Sequence, residues 1–149
     1  MNPSENTTRS APLPAARQNV AAVESMYQFL LWLIPVLEQF PRSQKFQLAD
    51  RMQGGALDVL DALVEAAYSR DKVALLRKAN LGLEKLRICV RLAKDLRHLD
   101  FKKYEQAARQ IDTVGRQTGG WLRSADRPAK PTPHAATSAD GVPGTAHAA

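Results

Sequence analysis

The chain of 149 residues contains little cysteine, few aromatic side chains and relatively few β-branched residues. Its one cysteine, Cys89, excludes an intramolecular disulfide and fits a reducing, cytoplasmic location. We interpret this cysteine as a small buried or interface residue and not as a nucleophile. Aromatic residues make up 6% of the sequence, and leucine and alanine outnumber the β-branched residues. This balance favours an all-α protein over one with sheets.

Long hydrophobic runs are also missing. Residues 1–20 contain no apolar stretch typical of a signal peptide. The most apolar segment, residues 26–37, is shorter than the roughly 20 residues that cross a bilayer, and Pro35 interrupts it. We therefore expect a soluble protein without a membrane partner.

Catalytic motifs are absent from the sequence. It has no glycine-rich phosphate loop, no CxxC or HExxH motif and no plausible Ser/His/Asp set. Two of the three histidines lie in the polar C-terminal region. A solvated face or a docking patch for basic groups is a simpler interpretation than a metal cluster for Asp58, Asp61 and Glu65. We expect no enzymatic activity, no cofactor and no metal.

Positive charge is concentrated in the second half of the chain. The net charge of the whole chain is +6. Residues 23–71 carry four basic and seven acidic side chains, whereas residues 72–127 carry fourteen basic and six acidic side chains, a net charge of +8. Such a surface suits an anionic partner, nucleic acid first. The alternative is a solvated helix surface whose charge serves solubility.

Apolar periodicity divides the chain into two tails and a helical region. Residues 1–22 and 124–149 are rich in small and polar residues without periodicity, so we expect both tails to be disordered. Residues 23–123 contain four stretches with helical spacing, at about 23–40, 43–68, 72–97 and 101–123. Short connections make successive helices antiparallel neighbours, which predicts an up-down-up-down four-helix bundle.

Single residues predict where these helices bend and begin. Pro35 should kink the first helix, because proline removes one backbone hydrogen bond. Ser43 and Asp100 are candidate N-caps of the second and fourth helices.

Small residues and one tryptophan suggest how the helices pack. Residues 54 and 55, in the middle of the second helix, are both glycine. They suggest a bend or a close backbone contact there. Gly115 and Gly119 are four residues apart and predict close approach of two helices. Trp121 is interpreted as a packing anchor at one end of the bundle.

The third helix has two apolar arcs and a basic strip on a helical wheel of about 100° per residue. The first arc contains Leu76, Ala79, Leu83, Leu86, Val90 and Ala93. The second, on nearly the opposite side, contains Leu81, Ile88, Leu92, Leu96 and Leu99. The strip between them contains Arg87, Arg91, Lys94 and His98, and Lys78 and Lys85 lie at the edge of the second arc.

A helix at the periphery of a monomeric bundle needs one apolar stripe, so the second arc needs a covering partner. The first helix has the same two-sided character. We therefore predict a homo-oligomer in which the first and third helices contribute to the interface. The alternative is that the tails cover the second arc.

Four strings together resemble one family: FPRSQKFQLADRM (40–52), LVEAAYSRDK (63–72), ANLGLEKLRICVRLAKDL (79–96) and YEQAARQIDTVGRQTGGWL (104–122). They resemble the accessory variability determinant of diversity-generating retroelements, over about residues 24–123. The glycines at 54–55 depart from that family's pattern, which is usually apolar there. More distantly, the sequence is similar to the four-helix bundle proteins encoded in intervening sequences of ribosomal RNA genes, which would imply a structural or protein-interaction module.

The resemblance implies a basic homopentameric barrel of four-helix protomers without catalytic activity. Such a protein would bind the reverse transcriptase of its element and the template RNA, and its cDNA, in support of mutagenic retrohoming. The basic positions that match the family are Arg42, Arg51, Lys85, Arg87, Arg91 and Lys94, to which the wheel adds Lys78. A structural role remains open for two of them, since Arg87 and Arg91 could instead hold intersubunit ion pairs with Asp50 or Glu84.

Overall fold

Four long helices make up most of residues 15–128, the part of the chain that a computed structural model describes. They are α1 (Ala15–Glu38), α2 (Asp50–Tyr68), α3 (Val73–Asp95) and α4 (Phe101–Ala125). A helical turn, Arg42–Gln44, and a π-helical turn, Lys45–Ala49, lead into α2. Within the described residues there is no strand, so the prediction of an all-α four-helix protein is confirmed.

Each long helix packs against two others, which places the four helices at the corners of a bundle. α1 packs against α2 and α4, and α3 packs against the same two helices. α1 and α3 therefore occupy opposite corners. Four residues, 69–72, connect α2 to α3, and residues 96–100 connect α3 to α4. These short connections give the antiparallel order that the sequence predicts.

The buried core follows the helical period. All six residues of the first arc of α3 are at most 2% exposed. They meet buried residues of the other helices, among them Met26, Phe29 and Leu33 of α1 and Ile111 of α4. Burying a large apolar side chain contributes about 1.5–3 kcal/mol relative to leaving it in water, so this shared core holds the four helices together.

The first helix begins earlier than its apolar pattern predicts. α1 starts at Ala15, inside the segment expected to be a disordered tail, and it continues through Pro35 to Glu38. Residues 1–14 and 129–149 lie outside the described residues, so the rest of both tails stays a prediction. The predicted cap at Ser43 is wrong, because the helical turn starts at Arg42 after Pro41 and has no side-chain cap.

The full length of α1 bears on the expectation that no segment of the chain is long enough to cross a membrane. Arg17–Glu38 is long and apolar enough to cross a membrane, and an 18-residue stretch within it has a mean hydropathy of 1.6. The expectation from the shorter run at 26–37 was too restrictive on length. A core helix of a soluble protein passes the same test; Met26, Phe29 and Leu33 of this helix are fully buried, whereas 33% of the apolar stretch as a whole is buried.

Polar side chains satisfy the ends of two helices, and a tryptophan packs into the core near the end of α4. The Asp100 carboxylate accepts a hydrogen bond from the Lys103 amide at 2.8 Å, which confirms the predicted N-cap of α4. The Lys72 ammonium donates to the carbonyl oxygens of Ala66 and Ser69 at 2.7 and 2.8 Å, where it satisfies the C-terminal end of α2. Trp121 is 3% exposed, as expected for a packing anchor.

The last turn of α3 ends in a Schellman motif. The His98 amide donates to the Ala93 carbonyl at 2.8 Å, and the Arg97 amide donates to the Lys94 carbonyl at 2.9 Å. Arg97 has a φ of 63°, in the left-handed region that usually selects glycine. The motif turns the chain sharply toward α4.

One close contact between α2 and α3 lies at a glycine that the sequence pattern did not single out. A Cβ atom at Gly82 of α3 would lie 2.5 Å from Cγ2 of Val59 on α2. Gly54 and Gly115 instead have open space at that position. The prediction that Gly115 lets two helices of one chain approach closely is therefore wrong, since no described side chain comes near it.

Candidate nucleic-acid interface

The second arc of α3 is exposed, with one exception. Leu81, Ile88, Leu92 and Leu96 are 57%, 62%, 47% and 49% exposed. Leu99 is 4% exposed, so its placement in this arc is wrong. The wheel assumes a helix that continues, whereas α3 ends at Asp95 and the turn after it directs Leu99 into the core.

A second exposed apolar face lies on α1. Val20, Tyr27 and Leu31 are 66%, 49% and 53% exposed and are spaced at seven and four residues, which places them on one side of the helix. Because α1 and α3 occupy opposite corners, their outward faces point away from each other. The described chain thus presents two separate apolar surfaces, which we name the α1 face (Val20, Tyr27, Leu31) and the α3 face (Leu81, Ile88, Leu92, Leu96).

Arg87, at the centre of the predicted basic strip, is already paired within the chain. Its guanidinium donates a hydrogen bond to the Asp112 carboxylate of α4 and lies 3.5 Å from the Glu84 carboxylate. The hydrogen bond to Asp112 raises the pKa of Arg87 above its ordinary value, partial burial opposes this, and the charges of Asp112 and Glu84 add to the increase. Arg87 therefore stays protonated and cross-links α3 to α4.

Arg91 and Lys94, the other Arg and Lys residues of the strip, also lie near a carboxylate of the same chain. Arg91 and Lys94 lie 3.9 and 3.4 Å from the Asp95 carboxylate, and the Lys94 ammonium is 4.5 Å from the centre of the Tyr104 ring. Arg91 is mostly exposed, whereas Lys94 is partly covered by that ring. Glu84 is thus a partner of Arg87 within one chain, whereas the alternative given above placed this ion pair between subunits. Among residues 15–128, Asp50 pairs with neither Arg87 nor Arg91.

His98 does not belong to the basic strip. Its ring packs against that of Phe40, with centroids 5.6 Å apart, and it lies beyond the end of α3. The helical wheel placed it with Arg91 and Lys94 because it assumed two more residues of regular helix.

The remaining predicted nucleic-acid ligands lie elsewhere on the surface. Lys78 and Lys85 are exposed, and Lys85 is roughly 160° around α3 from Arg87, so it lies on the side of the helix that carries the α3 face. Arg51 is exposed in the first turn of α2, and Arg42 is exposed in the helical turn before it. Among residues 15–128, no carboxylate lies within 4 Å of these four cations. The seven predicted residues thus form separate groups and not one site.

A cleft of about 720 Å³ between α3 and α4 contains cations that the sequence reading missed. Arg87 lies in it with Arg116 and Arg123 of α4, next to the open backbone of Gly115 and Gly119. The two arginines are seven residues apart on α4, a spacing that could have indicated a shared face. Glu84 and Asp112 also line the cleft, so its charge is mixed.

Residues 15–128 bring no three histidine, cysteine or acidic side chains together as a metal site. Asp58, Asp61 and Glu65 are all exposed on α2. What the fold and surface define is a basic four-helix bundle protein with two uncovered apolar faces.

The comparison with known families narrows this class. A family model described as bAvd-like matches residues 20–125, which include all four helices. The chain belongs to this family, and the resemblance to accessory variability determinants is confirmed at that level. The family is one of accessory bundle proteins. A comparison with curated proteins finds no match to the chain.

Proposed function

We propose that the chain is the non-catalytic accessory protein of a diversity-generating retroelement, where it binds the reverse transcriptase and the template RNA or its cDNA. The family match over residues 20–125 carries this proposal. The net charge of +8 in residues 72–127 supports the nucleic-acid part, because phosphate contacts supply most of the affinity of such complexes. We also propose a cytoplasmic location, with which the single cysteine of the chain is compatible.

The proposed assembly is a closed ring of identical subunits, five in number as in the family. A two-fold dimer covers the same surface on both partners, so it would leave either the α1 face or the α3 face in water. Packing the α3 face of one copy on the α1 face of the next covers both faces, and such a head-to-tail contact forms a ring where the rotation between successive copies closes. Exposed Leu and Ile side chains at these positions favour association.

Within this assembly the seven predicted basic residues contribute unequally to phosphate binding. Lys78, Lys85, Arg42 and Arg51 are exposed and have no carboxylate within 4 Å in residues 15–128. Lys78 and Lys85 lie at the edge of the α3 face, where their long side chains carry the ammonium groups to the rim of a ring contact, so all four charges can meet phosphates. Arg87, Arg91 and Lys94 already lie beside carboxylates, which reduces the charge that they offer to phosphates. We assign the larger share of phosphate binding to the first group.

The test measures RNA affinity against salt for the full chain and two sets of variants. Replacing Lys78 and Lys85 with Gln should weaken binding to all RNA sequences alike and reduce the slope of log K against log salt by about 1.4, since each lost contact on a single strand is worth about 0.7. The charge-matched control replaces Arg70 and Arg127, which lie at the opposite end of the bundle from Arg42.

Three results would count against the proposal. Wild-type protein without salt-sensitive RNA affinity removes the nucleic-acid part, and failure to co-purify with the neighbouring reverse transcriptase removes the polymerase part. If the control at Arg70 and Arg127 loses as much affinity as the variant at Lys78 and Lys85, only net charge matters and the site assignment is wrong.

A further inference from the structure

One end of the bundle combines exposed aromatic rings with cations. The segment before α2 and the turn between α3 and α4 meet there, because the rings of Phe40 and His98 are 5.6 Å apart. We name this surface the aromatic end and define it by the exposed or half-exposed residues Arg42, Lys45, Phe46, Arg97, Phe101 and Lys102. It is separate from the α1 face and the α3 face.

The two phenylalanines of the aromatic end, Phe46 and Phe101, are exposed to solvent. Phe46 is 81% exposed and Phe101 is 64% exposed. Phe46 lies in the π-helical turn Lys45–Ala49, a form that inserts an extra residue into a helix and often occurs at functional sites. Phe101 is the first residue of α4, and its ring centroid is 6.4 Å from that of Tyr104.

Cations lie close to these phenylalanines in sequence, with Lys45 directly before Phe46 and Lys102 directly after Phe101. Among residues 15–128, no carboxylate lies within 4 Å of Arg42, Lys45, Arg97 or Lys102. Two nearby carboxylates are already engaged, since Asp95 faces Arg91 and Lys94 and Asp100 caps α4. The positive charge of the aromatic end is therefore free to meet a polyanion.

The aromatic end is continuous with the basic strip of α3. The Lys94 ammonium lies over the Tyr104 ring, and the Tyr104 ring lies beside that of Phe101. A chain of one cation and two rings thus leads from the side of the bundle to its end. Cations beside aromatic rings are the combination that binds the phosphates and the bases of a single strand.

We propose that the aromatic end binds single-stranded nucleic acid, with unpaired bases stacked on Phe46 and Phe101 and phosphates held by the surrounding cations. A duplex hides its base faces, so these rings discriminate in favour of single strands. The proposal adds a second contact surface and a strand preference to the proposed function, and it rests on the nucleic-acid part of that function.

The experiment compares binding of a 20-nucleotide single strand and the matching duplex to the full chain by fluorescence anisotropy at fixed salt. Replacing both phenylalanines with Ala (F46A/F101A) should weaken single-strand binding at least about fivefold per ring, the low end of base–aromatic stacking. Duplex binding should not change. The conservative variant F46Y/F101Y should keep single-strand affinity, and F46L/F101L should lose it.

A matched control uses an exposed ring at the other end of the bundle. Tyr68 is 90% exposed, and Tyr68→Ala should leave both affinities unchanged. Unchanged single-strand binding by F46A/F101A, or full single-strand binding by F46L/F101L, overturns this proposal. In either case, salt-sensitive RNA binding by the wild-type protein leaves the proposed function intact. Equal losses of affinity for the single strand and the duplex also overturn the proposal. So does a variant that binds oligonucleotides as wild type does but no longer co-purifies with the reverse transcriptase, because the aromatic end would then be a protein contact.

Discussion

Arg87 of α3 and Asp112 of α4, twenty-five residues apart in sequence, are joined by a hydrogen bond across the mouth of the α3–α4 cleft. This pair holds a cation in place and also reduces the field that the cation offers to a polyanion. The side chains of Arg87 and Asp112 are 38% and 50% exposed, so solvent screens the pair and its contribution to folding is small.

Asp112→Asn should therefore increase RNA affinity at little cost in stability. The substitution removes one negative charge and releases Arg87, and the free energy of unfolding should fall by less than about 1 kcal/mol. Asp126→Asn is the control, since it removes the same charge beside Arg77 at the other end of the bundle. RNA titration and urea denaturation measure both effects, and equal affinity in the two variants would contradict a role for Arg87.

Arg97→Gly should stabilise the fold and weaken single-strand binding together. Arg97 occupies the left-handed position of the Schellman motif, which costs a residue with a Cβ atom about 1 kcal/mol. Glycine removes that cost and also a cation of the aromatic end. Urea denaturation should show a gain of about 1 kcal/mol, and the strand-binding assay should show a loss. A variant that is stabilised and binds as wild type would separate Arg97 from the nucleic-acid surface.

Alanine at two glycines should have opposite effects on stability. Gly82→Ala brings a Cβ atom to 2.5 Å from Val59, so it should destabilise the bundle by roughly 1–2 kcal/mol after the gain in helix propensity. Gly54→Ala meets open space and should stabilise the bundle by up to about 1 kcal/mol. Thermal and urea unfolding test both, and a stable Gly82→Ala variant would mean that α2 and α3 pack less closely there.

The ring model makes a prediction about mixtures. A variant with Ile88 and Leu92 changed to Glu spoils the α3 face, and one with Tyr27 and Leu31 changed to Glu spoils the α1 face. Each alone should be monomeric, and an equal mixture should form dimers only, because just one intact pair of faces remains. Light scattering after size exclusion gives the masses, with Phe46→Glu as the control that should keep the wild-type mass.

Two results of that mixing experiment would exclude the ring. A variant of the α1 face that still dimerises by itself would indicate a two-fold contact through the α3 face. A mixture that assembles beyond the dimer would mean that other surfaces hold the subunits together.

Much of this architecture was predictable because it depends on local periodicity. The buried arc from Leu76 to Ala93 and the N-cap at Asp100 each follow from a few neighbouring residues. The position of Leu99 did not, because the wheel cannot show that α3 stops at Asp95. Pairing of Arg87 with Asp112 and contact of Gly82 with Val59 were also hidden, since both depend on how two helices are shifted along each other.

The hydrogen bond between Ser124 and Gln18, 3.1 Å long, joins the last turn of α4 to the first turn of α1. The backbone thus enters and leaves the bundle at one pole, and the phenylalanines at 46 and 101 lie at the other. A label attached at Gln18 or Ser124 therefore lies at the first pole, the length of the bundle away from Phe46 and Phe101.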